Sequence, residues 1–138
     1  GNMYKTIFSL SPTNRTLGIS LQWGFNLDTE NSYAYKLDEI KIPTMLIAGT
    51  GPFDNDTVSP LAEMEKAYNE LNADKIMFRR SNNIEHANML YEANGYIIAW
   101  LDYYLKDVEE NKKAFFGDNT EIKNNTRYQD FKSEELES

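Results

Sequence analysis

The sequence predicts an α/β fold in which about three parallel strands are flanked by helices. Two observations favour this class. Strand-like and helix-like segments alternate over residues 1–117, as they do in parallel sheets joined by right-handed crossovers. In addition, the run Thr44–Ala48 is apolar without alternation, which is typical of a strand that is covered on both faces.

The predicted elements follow one another in the order strand, strand, helix, strand, helix. The segment "YKTIFSL" predicts the first strand, and "SPTN" predicts the turn after it. The next segment, "RTLGISLQWGFNL", is apolar but interrupted by two glycines, which indicates a short helix or an irregular excursion. The second strand then starts after Pro43 and ends at Gly49 and Gly51.

Helices and a third strand complete this order. The segment "SPLAEMEKAYNELNA" is amphipathic, with Pro60 in its first turn and glutamates near the positive end of the helix dipole. The segment "DKIMFRR" predicts the third strand. "NMLYEANGYIIAWLDYYLKD" predicts a long helix whose aromatic face, with Tyr96, Trp100 and Tyr103, packs on the sheet. "VEENKKAFFG" predicts a further short helix that ends at Gly117.

The remaining segment, residues 118–138, is polar and acidic. Terminal segments of this kind are commonly poorly ordered unless other elements hold them in place. We therefore expect one domain over residues 1–117 and a flexible, loosely docked tail after it.

The overall charge excludes two classes of partner. The net charge is −8, and the 14 basic residues are scattered, so the sequence predicts no basic patch that could bind a nucleic acid or an anionic membrane surface.

The sequence also predicts no membrane segment. No apolar run reaches the roughly 20 residues that a transmembrane helix needs, and the apolar N-terminal run is too short for a signal peptide. Because the chain contains no cysteine, we expect neither a disulfide nor thiol chemistry, and we expect a cytoplasmic location.

Groups that could carry chemistry follow two neighbouring predicted strands. Asp54 and Asp56 lie directly after the second strand, and His86, the only histidine, follows the third. Neighbouring parallel strands lie about 4.8 Å apart and end at the same edge, so these groups can meet. A carboxylate that accepts the Nδ1 proton of an imidazole fixes its tautomer and stabilises the imidazolium, as in a catalytic triad. The sequence therefore predicts that His86 shares a proton with one of the two carboxylates.

The same residues also have simpler interpretations. A lone histidine before a helix is commonly a cap or a surface residue, and an aspartate after a strand is commonly a turn former. Two carboxylates and one imidazole could bind a metal ion, but no His-x-x-x-His or cysteine spacing supports such a site. We therefore expect no metal and no other cofactor.

Two stretches resemble the C-terminal half of α/β-hydrolases: "IPTMLIAGTG" followed by "DNDTVSP", and "HANMLYEANGYIIAWLDYYLKDVEENKKAFFG". The similarity is to bacterial dienelactone hydrolases, chlorophyllase-like enzymes and small serine esterases, and it covers residues 4–117. It implies a partial α/β-hydrolase fold with Asp56 as the acid, because residues 56–60 match an Asp-x-Val-x-Pro setting. Asp54 is the alternative acid, since an inserted Pro-Phe pair blurs the register. His86 matches the family's catalytic histidine, although alanine replaces the usual glycine after it.

The same resemblance implies a serine nucleophile in a G-x-S-x-G elbow, and the sequence contains no such pentapeptide. Its nearest segment is "GISLQ", in which Gln22 stands in place of the second glycine, so Ser20 is a nucleophile candidate without a complete elbow. The first strand resembles the family strand that follows the nucleophile helix. We therefore expect the catalytic serine and the oxyanion hole to lie upstream of Met3.

Two functions follow from the resemblance. The first is the C-terminal portion of a serine hydrolase for a small-molecule ester, which carries the acid and the histidine, lacks the nucleophile and is almost inactive alone. The second is a non-catalytic interaction or remnant module that retains the fold and in which Trp23 and Trp100 serve assembly. In both cases the first strand would be an unpaired sheet edge, which predicts a homo-oligomer or association with the missing N-terminal hydrolase half.

Overall fold

The computed structural model describes residues 4–12 and 37–136. Within them, strands form a mixed sheet whose spatial order is the same as their order in the chain. The strands are β1 (Ile7–Leu10), β2 (Thr44–Gly49), β3 (Lys75–Arg80) and β4 (Tyr128–Glu134). β1, β2 and β3 are parallel, whereas β4 is antiparallel to β3. The predicted α/β class is therefore confirmed, and β4 adds a strand that the sequence patterns do not predict.

The helices are α1 (Leu61–Glu70), α2 (Met89–Glu92), α3 (Asn94–Lys106) and α4 (Glu121–Asn124). The long helix predicted before the tail is divided into α2 and α3 at Ala93, which has φ of −100° and ψ of 4°. A π-helical turn spans Asp54–Val58, and 3₁₀ turns span Leu37–Glu39, His86–Asn88 and Glu109–Ala114. No helix in the described part of the chain has the length and apolarity that a membrane crossing requires.

Successive side chains of β2 and β3 point to opposite faces of the sheet, and every residue of both strands is buried. The larger core lies on the side of α3 and includes Met45, Ile47, Ile76, Phe78, Tyr96, Ile97, Trp100 and Phe115. The smaller core lies on the side of α1 and contains Leu46, Ala48, Met64, Tyr68, Leu71 and Met77. Trp100 is fully buried, and its Nε1 donates a hydrogen bond to Thr6 Oγ1 at 2.7 Å. The aromatic face of α3 is thus part of the core.

The segment expected to be a loosely docked tail instead contributes α4 and β4. The ring of Tyr128 packs edge-on against Phe78, with ring centroids 5.3 Å apart. Opposite Phe78 the register of β4 shifts, and Asp130 has φ of 56°. The carboxylate of Asp130 accepts a hydrogen bond from Arg79 Nε at 2.8 Å. The sequence patterns do not predict β4 because only one face of this strand is covered, and because the bulge interrupts the alternation of apolar residues.

Buried tyrosines should make this fold sensitive to alkaline pH. Burial, assisted by Glu134, raises the pKa of Tyr68 from 10.0 to about 12. Burial also raises the pKa of Tyr104, whose hydroxyl donates to Asp74 Oδ2 at 3.0 Å. The folded state therefore holds these protons more tightly than the unfolded chain, and this stabilisation is complete below about pH 10 and is lost as the pH rises through the folded-state pKa values.

We expect the thermal midpoint, followed by circular dichroism, to fall steadily once the pH exceeds about 10. Tyr104→Phe removes one of the titrating groups, so the midpoint of this variant should fall less steeply over the same range. A midpoint that is independent of pH up to about 11.5 would contradict the prediction.

Candidate functional site

The candidate site lies at the carboxyl edge of the sheet, where the loops after β2 and β3 are joined by hydrogen bonds. The carbonyl oxygen of Ile84 accepts from the backbone N–H groups of Thr50 at 3.1 Å and Gly51 at 3.0 Å. The hydroxyl of Thr50 donates to the carbonyl of Arg80 at 2.8 Å and accepts from the backbone N–H of Asn83 at 3.1 Å. These bonds hold the two loops as a single unit.

The loop after β3 turns back sharply enough to make these contacts because of its two asparagines. Asn82 and Asn83 have φ of 67° and 56°, in the left-handed region that asparagine enters more readily than most residues. The chain then passes through Ile84 and places His86 at the start of a 3₁₀ turn beside the loop that follows β2.

Asp54 is the central acid of the site, and its side chain is fully buried. Its Oδ2 accepts hydrogen bonds from the Gly49 backbone N–H at 2.6 Å and from the Ser11 hydroxyl at 2.6 Å. Its Oδ1 lies 3.2 Å from Nδ1 of His86. Burial of a carboxylate is costly unless its oxygens are hydrogen bonded, and here both oxygens have partners.

His86 is the second member of the pair and remains open to solvent, with 45% of its side chain exposed. When Nδ1 carries the proton and donates it to Asp54, Nε2 is left as the basic nitrogen. Within residues 4–12 and 37–136, Nε2 has no hydrogen-bond partner. The exposed ring of Phe53 stands edge-on to the imidazole, with ring centroids 6.3 Å apart. The arrangement can therefore hold one tautomer and present a base beside an aromatic surface.

Asp56, which the family resemblance assigned as the acid, is not brought to His86. Its side chain is exposed, and its Oδ1 accepts a hydrogen bond from Asn55 Nδ2 at 2.6 Å. The reason is the π-helical turn, which starts at Asp54 and directs that side chain inward beneath Gly49. The carboxylate that contacts the histidine is thus that of Asp54, the alternative acid.

Two further residues support the pair without having been predicted from the sequence. Ser11 is 3% exposed, follows β1 directly and has φ of 46°. Glu85 accepts hydrogen bonds from the backbone N–H groups of Phe53 and Asp54. The strand-edge rule that selected Asp54 and His86 would have selected Ser11 as well, because Ser11 also follows a parallel strand. Nothing in the spacing marks Glu85.

Ser20 and Trp23 lie outside the described residues, as does the rest of the apolar segment 15–27. In the part of the chain that the structure describes, no three histidine, aspartate or glutamate side chains are grouped closely enough to hold a metal ion. Comparison with protein-family models and with curated proteins found no match to the chain.

Proposed function

We propose that the chain is the C-terminal portion of a serine hydrolase for small ester substrates, in which Asp54 is the acid and His86 the base of the triad. The observation that carries this proposal is the 3.2 Å contact between Oδ1 of buried Asp54 and Nδ1 of solvent-accessible His86. In such a pair the carboxylate orients the imidazole and stabilises the imidazolium that forms during the reaction.

The order of the elements supports the same function. Asp54 follows β2, and His86 follows the adjacent parallel strand β3, after the intervening helix α1. In α/β-hydrolases the acid precedes the histidine in the chain, and both lie at the carboxyl edge of the sheet. A partial α/β-hydrolase fold is therefore part of the proposal.

The proposed reaction has two half-reactions. A serine hydroxyl attacks the ester carbonyl carbon while its proton passes to Nε2 of His86, and the imidazolium then gives that proton to the departing alcohol. Water then attacks the acyl-enzyme while its proton passes to Nε2 of His86. The imidazolium returns that proton to the serine oxygen as the carboxylic acid product leaves. The serine and the oxyanion donors would come from polypeptide outside the described residues. Because these groups supply most of the rate, the chain alone should hydrolyse esters slowly.

Complementation tests the proposal. The chain is combined with an N-terminal α/β-hydrolase segment that carries a G-x-S-x-G elbow, and turnover of p-nitrophenyl esters is measured. We expect turnover by the combination, weak turnover by either part alone, and loss of turnover with His86→Ala. Full turnover with His86→Ala, or a lack of turnover in every combination in which light scattering shows association, would overturn the assignment.

The edge of the sheet favours the second candidate function, a non-catalytic interaction module. Among the described residues, β1 pairs with β2 alone, which leaves one row of its backbone groups available to another strand. Phe8 and Tyr4 on or beside this edge are 36% and 68% exposed. For this second function the proposed occupant is a second copy of the chain, whereas an N-terminal hydrolase half in the same place belongs to the first function. Light scattering on the chain alone distinguishes them, because only the second copy produces a dimer without an added segment.

A further inference from the structure

We propose that Glu85 is a positioning residue that holds the Asp54–His86 pair together. The inference rests on the proposed function only in treating this pair as the catalytic one. Oε1 of Glu85 accepts from the backbone N–H of Phe53 at 3.2 Å, and Oε2 accepts from that of Asp54 at 3.3 Å. Glu85 also directly precedes His86 in the chain. One side chain thus connects the backbone of the acid to the backbone of the base.

The backbone of the acid needs such a partner because of where the π-helical turn begins. The first N–H groups of any helical turn lack acceptors within the turn itself. Those of Phe53 and Asp54 belong to this set, and the carboxylate of Glu85 accepts from both. The two bonds act together on neighbouring N–H groups, so their loss would free the start of the turn and let the Asp54 carboxylate move relative to the imidazole.

Gly51 forms the surface on which the Glu85 side chain lies. A Cβ atom on Gly51 would lie 2.7 Å from Cγ and 2.7 Å from Oε1 of Glu85, and it would overlap Cδ as well. Among the described glycines only Gly117 has a positive φ, so the backbone conformation at Gly51 is open to alanine. What excludes a side chain at Gly51 is the close passage of Glu85, and the two residues therefore form one unit.

His86 is the only histidine, so its side-chain NMR signals report on the pair without ambiguity. In the unmodified full chain we expect the Nδ1–H tautomer, seen in the imidazole ¹⁵N shifts, and slow exchange of that proton with water. Glu85→Ala should speed this exchange roughly tenfold or more and restore a mixture of tautomers, as expected for the loss of hydrogen bonds to a charged acceptor. Glu85→Gln retains one acceptor oxygen and should give an intermediate result.

Gly51→Ala tests the same unit without removing the carboxylate, and it keeps the inference testable if Glu85→Ala fails to fold. It should reproduce the NMR changes of Glu85→Ala, and the double variant should show no further change, because both substitutions remove the same contact. Glu110→Ala, at an exposed glutamate in the Glu109–Ala114 turn, is the matched control and should leave the imidazole signals unchanged.

Unchanged tautomer and exchange in folded Glu85→Ala and Gly51→Ala would overturn the inference. So would changes that only follow a lowered free energy of unfolding, measured on the same samples by urea titration. These results are independent of turnover. Altered imidazole signals combined with a lack of ester hydrolysis in every associated complex would uphold the role of Glu85 and reject the proposed function. Ester hydrolysis by the associated complex, combined with unchanged imidazole signals in Glu85→Ala and Gly51→Ala, would support the proposed function and reject the role of Glu85.

Discussion

Asp54→Asn should lower ester hydrolysis by the complemented enzyme by roughly 10³- to 10⁴-fold, whereas Asp56→Asn should leave it close to the unmodified rate. An asparagine side chain can no longer act as a charged acceptor for the Nδ1 proton, so the imidazole takes the wrong tautomer and its positive form is not stabilised. The loss should appear in kcat, with KM little changed, because in the proposed reaction the pair stabilises the transition state.

The two aspartates form a matched pair for this experiment. They belong to the same π-helical turn and differ in burial and partner: Asp54 is fully buried against Gly49, Ser11 and His86, and Asp56 is exposed beside Asn55. Circular dichroism and the thermal midpoint should be recorded for both variants, since an asparagine at position 54 keeps only one of the two acceptor oxygens that the buried carboxylate provides. A larger loss of turnover in folded Asp56→Asn than in folded Asp54→Asn would show that the acid is the one named by the family pattern.

The sequence predicts which two loops meet better than it predicts which carboxylate contacts His86. The strand-edge rule places a carboxylate and His86 together because β2 and β3 are strongly patterned and parallel. The choice between Asp54 and Asp56 depends on whether the chain after Phe53 forms a loop or a π-helical turn, and no periodicity in a five-residue segment decides this. The match to the family motif selects Asp56, whose exposed carboxylate accepts a hydrogen bond from Asn55, whereas the carboxylate in contact with His86 is that of Asp54.

A similar division applies to the fold. β2 and β3 are predictable because they are buried on both faces, so each contains a run of apolar residues without alternation. α1 is predictable because one stripe of the helix is buried and apolar. β4 is not predictable from its own sequence, because it depends on a partner that is distant in the chain. Arg79, buried in β3, forms an ion pair with Asp130 of β4. The break at Ala93 is likewise tertiary, since the apolar pattern continues through it from α2 into α3.

Gly49→Ala should lower the free energy of unfolding by about 3 kcal/mol or more, measured by urea titration. A Cβ atom on Gly49 would overlap the carbonyl oxygen of Ile84 and lie 3.0 Å from Oδ2 of Asp54. The overlap is with backbone, which cannot rotate away as a flexible side chain can. Relief requires the loops after β2 and β3 to separate, which breaks the hydrogen bonds to Ile84 and the 2.6 Å bond from Gly49 to Asp54.

Gly95→Ala is the matched control, because nothing lies within 4 Å of a Cβ built at Gly95, which is part of α3. Alanine favours a helix over glycine, so this variant should gain about 0.5–1 kcal/mol. Equal effects at the two positions would mean that the loops yield easily and that the Asp54–His86 contact is not built on a rigid edge. Opposite signs would instead show that the stability of the sheet edge depends on the same contacts as the geometry of the pair. The N–H group of Gly49 donates to the Asp54 carboxylate, and the lack of a side chain at Gly49 lets the loop that follows β3 approach at Ile84.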